Sequence, residues 1–482
     1  MEGSTSQVQI ADTRSHRPTV ELLLLALPMI GQFSSYVVLQ FTDTYMLALV
    51  GDIAATAAGN AGGLVWSVFA LGFGTLLIVN TLVSQSFGRG ARAECGRYLW
   101  QGIWFAIIYS VLALAAMPFA DRMFLAFGHE PELAALEAEY FRICLMFCVV
   151  KLVSASTAQF LLAVNHPGIV LTATLVSVVA NISANYVLIF GKLGFPAMGA
   201  AGAAWGTNIS VLVELIVMVG AIVLLPKIGR RYHCGDWRPR LREFWTMLRV
   251  GLPAGGSTVA EVLAWSLFTV WVIGLFGTVT MAAHTYAFRY MMICFMPAVG
   301  IGSAVTALVG RYIGAGRPEL AARRAHLGFV ISAVYMVSAG VMLTVFRHWL
   351  IARFSVDPEV IRIGGTIIVM MAIYQIFDAM YVVYNGALRG AGDTLVPAIV
   401  LAALVWVVGL GGGYWAAVTW PQYGVVSPWT VMTLYGALLG VFLMLRFLGG
   451  RWKRIRLDRT DPKSPASNEP VESATLEAVA AG

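Results

Sequence analysis

Charge is scarce in this sequence. Only 12% of its 482 residues are Asp, Glu, Lys or Arg, against 59% that are hydrophobic, and mean hydropathy is +0.77. Too little charge remains to cover the surface of a soluble protein of this length. Acidic residues are rarer still inside the apolar runs, where only Asp43, Glu214, Glu261 and Asp378 lie well within them. The five cysteines, Cys95, Cys144, Cys148, Cys234 and Cys294, are scattered and form no CxxC pair. That excludes zinc binding and dithiol redox chemistry of the usual kind. Cys144 and Cys148, one helical turn apart, suit small buried thiols. No HExxH, GxSxG or Walker motif occurs, and no segment is long enough for a nucleotide-binding domain, so ATP hydrolysis is excluded as a power source. The glycine patterns at 72–77 and 299–305 lie inside apolar runs without a preceding strand, and read as close helix packing. His284 is a lone imidazole in the eighth run, expected to bond a neighbouring helix. The first twenty residues are polar, without a short apolar core and small-residue cleavage site, so no removable signal peptide is expected.

What is present is a series of apolar runs long enough to cross a bilayer, at about 21–50, 56–86, 98–118, 133–163, 167–190, 200–226, 249–276, 281–310, 325–346, 360–388, 395–419 and 428–447. The expected fold is an all-α integral membrane protein with twelve transmembrane helices. Placing the N-terminus inside gives 24 Lys and Arg residues on the inner side against Arg122, Lys192, Arg347, Arg353 and Arg362 on the other. This bias predicts that both termini are cytoplasmic, in the plasma (inner) membrane. It also accounts for the net charge of +7 without nucleic acid as a partner.

The longest basic interruption, 227–248, falls near the middle of the chain. Sliding one half over the other matches Leu27-Pro28 with Leu252-Pro253 at an offset of 225, and Gly88, Gly90 and Arg97 with Gly314, Gly316 and Arg323 at 226. Offsets that barely drift argue for duplication, and six spans per copy make the repeats parallel, with a site expected near the midplane between them. The expected organisation is a cytoplasmic tail over 1–20, a first lobe over 21–226, a basic linker over 227–248 and a second lobe over 249–448. A polar cytoplasmic tail, disordered by composition, then follows over 449–482.

The chemistry centres on the intramembrane acids, each of which costs about 2.5 kcal/mol or more at the bilayer centre and so points to a function or an internal partner. Asp378 shares a helical face with Tyr374, Tyr381 and Asn385. Glu261 lies twelve residues after Arg249, roughly 18 Å into the membrane at 1.5 Å per residue, and Trp265 follows one turn later. Asp43 shares a face with Tyr36 and Gln40. Glu214 has no polar company on its own helix and reads as structural. Glu261 and Asp378 together suit either proton exchange or Na⁺ held by oxygen ligands. Phe288, Tyr290, Met291, Met292 and Met296, with Trp265, Tyr374 and Tyr381, make an aromatic, Met-rich and acidic lining suited to amphipathic organic cations if they face inward. Plain core or lipid packing is the competing reading for each aromatic taken singly.

LPMIGQ at 27–32, FTDTYM at 41–46, SQSFG and the following GR at 84–97, NISANYVLIFGKLGFPAMGAAGAAWGT at 181–207, AEVL around Glu261 and NGALRGAGDT at 385–394 resemble the multidrug and toxic compound extrusion (MATE) family, in its NorM-like branch. The resemblance runs over all twelve spans. It implies a two-lobed antiporter around a central cavity that exports organic cations or drugs in exchange for Na⁺ or H⁺. Such a protein is not an enzyme, needs no cofactor besides the coupling ion, and works as a monomer among membrane lipids. On this resemblance Glu261, Asp378 and Tyr374 match a second-lobe cation site, Asp43 the first-lobe carboxylate, and Asn181 and Asn185 the polar positions of the fifth helix. Asn185 stands where another branch has Asp, which weakens a relay of two first-lobe carboxylates. Lys151, placed opposite Asp378 by the half-to-half offset, reads as a counter-charge for Asp43 or a snorkelling side chain. Two alternatives remain: a lipid-linked saccharide flippase of the same superfamily, which needs a cationic cavity, and a membrane-embedded enzyme, which needs a nucleophile and base that the spans do not supply.

Overall fold

A computed structural model describes residues 18–455 and 457, so the expected N-terminal tail, apart from residues 18–20, and most of the expected tail over 449–482 lie outside the described residues. Among the described residues there is no strand. The first half holds α1 (Pro18–Ala48), α2 (Asp52–Gly88), α3 (Arg92–Leu114), α4 (Pro131–Met146), α5 (Cys148–Ala163), α6 (Pro167–Phe190) and α7 (Gly199–Leu224). The second holds α8 (Leu241–Leu267), α9 (Gly277–Gly314), α10 (Pro318–Ile351), α11 (Pro358–Ala391), α12 (Leu395–Leu404), α13 (Gly413–Thr419) and α14 (Val426–Leu448).

These helices make twelve spans. α4 and α5 are one span bent by 48° at Phe147, and α12 and α13 are one span joined through a π-helical stretch, Val405–Gly412. The continuous apolar stretch Leu241–Gly314 contains two spans, α8 and α9, separated by a π-helical stretch, Phe268–Val272, and a 3-10 turn, Ile273–Phe276; α9 opens at Gly277, whose φ of +87° is one that glycine adopts without strain. Proline opens α4, α6, α10 and α11, where its missing N–H costs nothing. Pro28, Pro253 and Pro297 instead lie inside α1, α8 and α9, where each removes a helical hydrogen bond and permits a bend.

Within the first half α6 packs on α7 and α2 on α5; within the second, α11 is surrounded by α9, α10 and α14. The halves meet through α1 on α9 and α2 on α8 and α9. Glycine sets how closely. A Cβ on Gly88 would lie 2.0 Å from the Arg311 carbonyl oxygen, and one on Gly314 2.0 Å from that of Gln85. Thr81 and Gln85 of α2 donate to the carbonyls of Arg389 (2.9 Å) and Gly390 (3.0 Å). Glu21 pairs with Arg324 and accepts from Tyr312 on the same face. This closed end is the face that bears Arg89, Arg311, Arg324 and Arg389, and is called here the basic face. Closer to the middle, Gly74 still touches Gly255 and Thr258. Gly63, three turns further on the same side of α2, has nothing within 4 Å. The cleft between the lobes therefore opens away from the basic face.

The connection between the halves is not loose. Residues ahead of α8 are stitched to α3: the indole N–H groups of Trp100 and Trp104 donate to the carbonyls of Cys234 (2.6 Å) and Trp237 (2.9 Å), and Gln101 Oε1 accepts from the Arg240 amide. At the end of α11, Asp393 holds Arg446 of α14 through two charge-assisted bonds of 2.8 and 2.9 Å, and Thr394 donates to the Val250 carbonyl of α8. The GDT turn is thus a clamp among three helices.

Candidate functional site

In the second lobe, the helical spacing that puts Tyr374, Asp378 and Tyr381 on one face of α11 turns that face toward α8. Tyr381 donates its hydroxyl hydrogen to Glu261 Oε2 at 2.8 Å. Asp378 is buried one turn before Tyr381 on the same face, within electrostatic reach of Glu261. Tyr374 is buried between them and α14, where Gly436 leaves room for its ring: a Cβ there would sit 2.7 Å from the ring edge. Trp265 stands edge-on to Tyr374 (5.8 Å between ring centres) and tilted against Phe288 (5.6 Å) and Trp429 (6.1 Å). Two carboxylates, two phenols and a wall of rings are gathered in one place. Met292 is half-buried on α9.

His284 lies behind this wall, one turn from Phe288, with its ring stacked on Phe288 (5.9 Å) and tilted against Trp429 (5.7 Å). Neither of its ring nitrogens has a partner among the described residues. The expected bond to a neighbouring helix is replaced by a cage of rings. Trp429 and the buried Tyr435 of α14 belong to the same core and were missed in the sequence, because aromatic residues recur throughout the chain and α14 carries no acid to draw notice.

In the first lobe, Asp43 accepts from Asn185 Nδ2 (2.5 Å) and from Thr207 (3.3 Å), and Asn185 also donates to Asn181 (3.2 Å). α1, α6 and α7 supply this cluster. Lys151 acts electrostatically on Asp43, but its ammonium lies 5.0 Å over the Phe69 ring, and no carboxylate among the described residues lies within ion-pair distance of it. Gln40 is exposed, and Tyr36 is 40% exposed with its hydroxyl 3.5 Å from Glu214 Oε1. The structure therefore brings the proposed residues together as two separate groups, one in each lobe. Among the described residues no three His, Cys, Asp or Glu side chains cluster as a metal site.

A sequence model of the family described as MatE matches residues 28–187 and again 253–415. The chain belongs to the MatE family. The two matches begin 225 residues apart, which is the offset of the internal duplication. The chain is 31% identical over 436 residues to the "Probable multidrug resistance protein NorM" of Mesorhizobium japonicum, covering 88% of this chain and 92% of that one. It is 30% identical to the protein of the same description from Rhizobium meliloti, covering 92% and 95%. A solved structure described as the outward-facing conformation of a MATE family multidrug resistance transporter superposes with a TM-score of 0.83 at 18% identity, covering 91% of this chain and 97% of that one. This MATE protein is a membrane transporter of the twelve-helix fold, not an enzyme.

Proposed function

We propose that this protein exports amphipathic organic cations across the plasma membrane in exchange for Na⁺ or H⁺, by alternating access of the cleft between its lobes, 21–226 and 249–448. The observation that carries this reading is the Tyr381–Glu261 bond beside Asp378: two acids held in the membrane interior at one end of an aromatic wall. An inward-moving cation gains about 2.3 kcal/mol per charge per 100 mV, and a site that holds either that ion or an organic cation, but not both, couples the two flows. The aromatic wall suits a flat cationic substrate through cation–π contact. The lysine and arginine bias supports a cytoplasmic position for the basic face. The acid pair disfavours the flippase reading, since a lipid diphosphate needs cations where these carboxylates stand. No cofactor enters the cycle, and a single chain holds both groups of residues.

The test is ethidium movement in proteoliposomes under a Na⁺ gradient and, separately, a pH gradient. One of the two drives export on this reading; ethidium that responds to neither contradicts it.

A further inference from the structure

Glu214 has the environment of a working acid although its own helix gives no sign of it. It is 3% exposed, near the middle of α7. Its Oε1 lies 2.9 Å from the Thr174 hydroxyl of α6 and 3.5 Å from the Tyr36 hydroxyl of α1. The Thr174 hydroxyl also lies 3.0 Å from the Val170 carbonyl. A hydroxyl has one hydrogen to give. Thr174 satisfies both neighbours in full only if it donates to Val170 and receives a hydrogen from Glu214, so the geometry fits a carboxyl that carries its proton.

The titratable and charged groups in the interior of the helices packed on α7 are Tyr36 and Asp43 of α1, Glu137, Tyr140, Arg142 and Cys144 of α4, Cys148 and Lys151 of α5, and Tyr186 of α6. Of these, Tyr36 alone hydrogen-bonds to Glu214. Tyr36 is also the group that leads out: it is 40% exposed and shares its α1 face with Gln40 and Asp43. Gln32, one turn away, is buried with its Oε1 lacking a donor among the described residues, a second polar position beside the same hydroxyl.

We propose that Glu214 is a second proton-carrying acid of the first lobe, reached from the cleft through the Tyr36 hydroxyl. In the step, the Glu214 O–H turns from Thr174 to Tyr36 Oη while the Tyr36 hydroxyl turns its own hydrogen to cleft water; the O–H bond at Glu214 breaks as its proton passes to Tyr36 Oη, and the original Tyr36 proton passes to that water. One proton leaves, and Tyr36 ends neutral with its O–H restored. The inference rests on the exchange reading above and deepens it, since it names a group that carries protons away from the Glu261 and Asp378 pair.

The test uses the full-length purified protein with ethidium as the probe. Proton release on ethidium saturation is read with a pH indicator in weak buffer, and pH-gradient-driven ethidium efflux is followed in proteoliposomes. Glu214→Gln resembles the protonated acid in shape. It is expected to release fewer protons than wild type and to flatten the pH profile of efflux, with efflux at least about tenfold slower where the profile was steepest. Tyr36→Phe, which keeps the ring and the carboxyl, is expected to slow efflux in the same pH range, and it serves if the Glu214 variant does not fold. Wild-type proton release and an unchanged pH profile in both variants would overturn the proposal and leave Glu214 a helix-bridging residue. If wild type exports ethidium under a Na⁺ gradient but not under a pH gradient, the Glu214 proposal falls; if neither gradient drives export, it is the exchange reading that falls.

Discussion

Glu21 of α1 and Arg324 of α10 meet at 2.8 Å across the boundary between the lobes, at the closed basic face. Both are largely buried, and Tyr312 of α9 donates to the same carboxylate at 2.8 and 2.9 Å. Among the described residues no ion pair ties the lobes at the open end, where Gly63 faces empty space. The pair therefore stabilises one orientation of the cleft over the other.

Breaking it removes on the order of 3 kcal/mol from the closed arrangement if the partner stays buried, and less if water reaches the survivor. Each 1.4 kcal/mol is a tenfold change in population. Glu21→Gln or Arg324→Gln should shift the distance distribution between spin labels on the basic ends of the two lobes toward longer values. Glu21→Arg combined with Arg324→Glu should bring it part-way back.

The glycines at that end should tolerate nothing larger. Gly88→Ala or Gly314→Ala places a methyl group 2.0 Å from a backbone carbonyl oxygen of the other lobe, which neither backbone yields cheaply. The expected outcome is a protein that inserts and folds but cannot close its basic face, with efflux down by an order of magnitude or more and the same label distances lengthened.

The docked segment ahead of α8 makes a prediction in thiol chemistry. Burial pushes the Cys234 thiol up to about 12, so at pH 8 it is almost wholly the unreactive neutral form. Trp100→Phe removes the indole donor that holds the Cys234 carbonyl. Detachment should return the thiol toward its ordinary range near 8.5 and raise the thiolate fraction at pH 8 by more than a hundredfold. Maleimide labelling of Cys234, located by peptide mass, should accelerate accordingly; unchanged labelling would mean the segment stays docked without that bond.

Much of this architecture was legible in the chain. The apolar runs and their duplication define the spans, and the four acids stand out because charge is so rare. The stripe of Tyr374, Asp378 and Tyr381 follows from helical period alone. The periodicity of one helix cannot reveal partners supplied by another, so Glu214 read as friendless although Tyr36 and Thr174 reach it from α1 and α6. Tyr381 read as lining, whereas it donates to Glu261. His284 read as a helix-to-helix bond and is instead enclosed by rings. The stitching of Trp100 and Trp104 to backbone carbonyls left no pattern, because a carbonyl acceptor has no residue identity.

Tyr381→Phe isolates one contact of the acid pair. A bond of a neutral hydroxyl to a charged acceptor contributes about 1.5–3 kcal/mol. The variant should fold as wild type and require a coupling-ion concentration roughly tenfold or more higher for half-maximal efflux. An unchanged requirement would show that Tyr381 only packs.

The central claim is that Glu261 and Asp378 form the site through which an ion gradient drives export. The most direct measurement is ethidium efflux from energised proteoliposomes carrying Glu261→Gln or Asp378→Asn, each checked for insertion and thermal stability. The account predicts that each folded variant loses efflux while wild type exports. Efflux at the wild-type rate in both variants would contradict it.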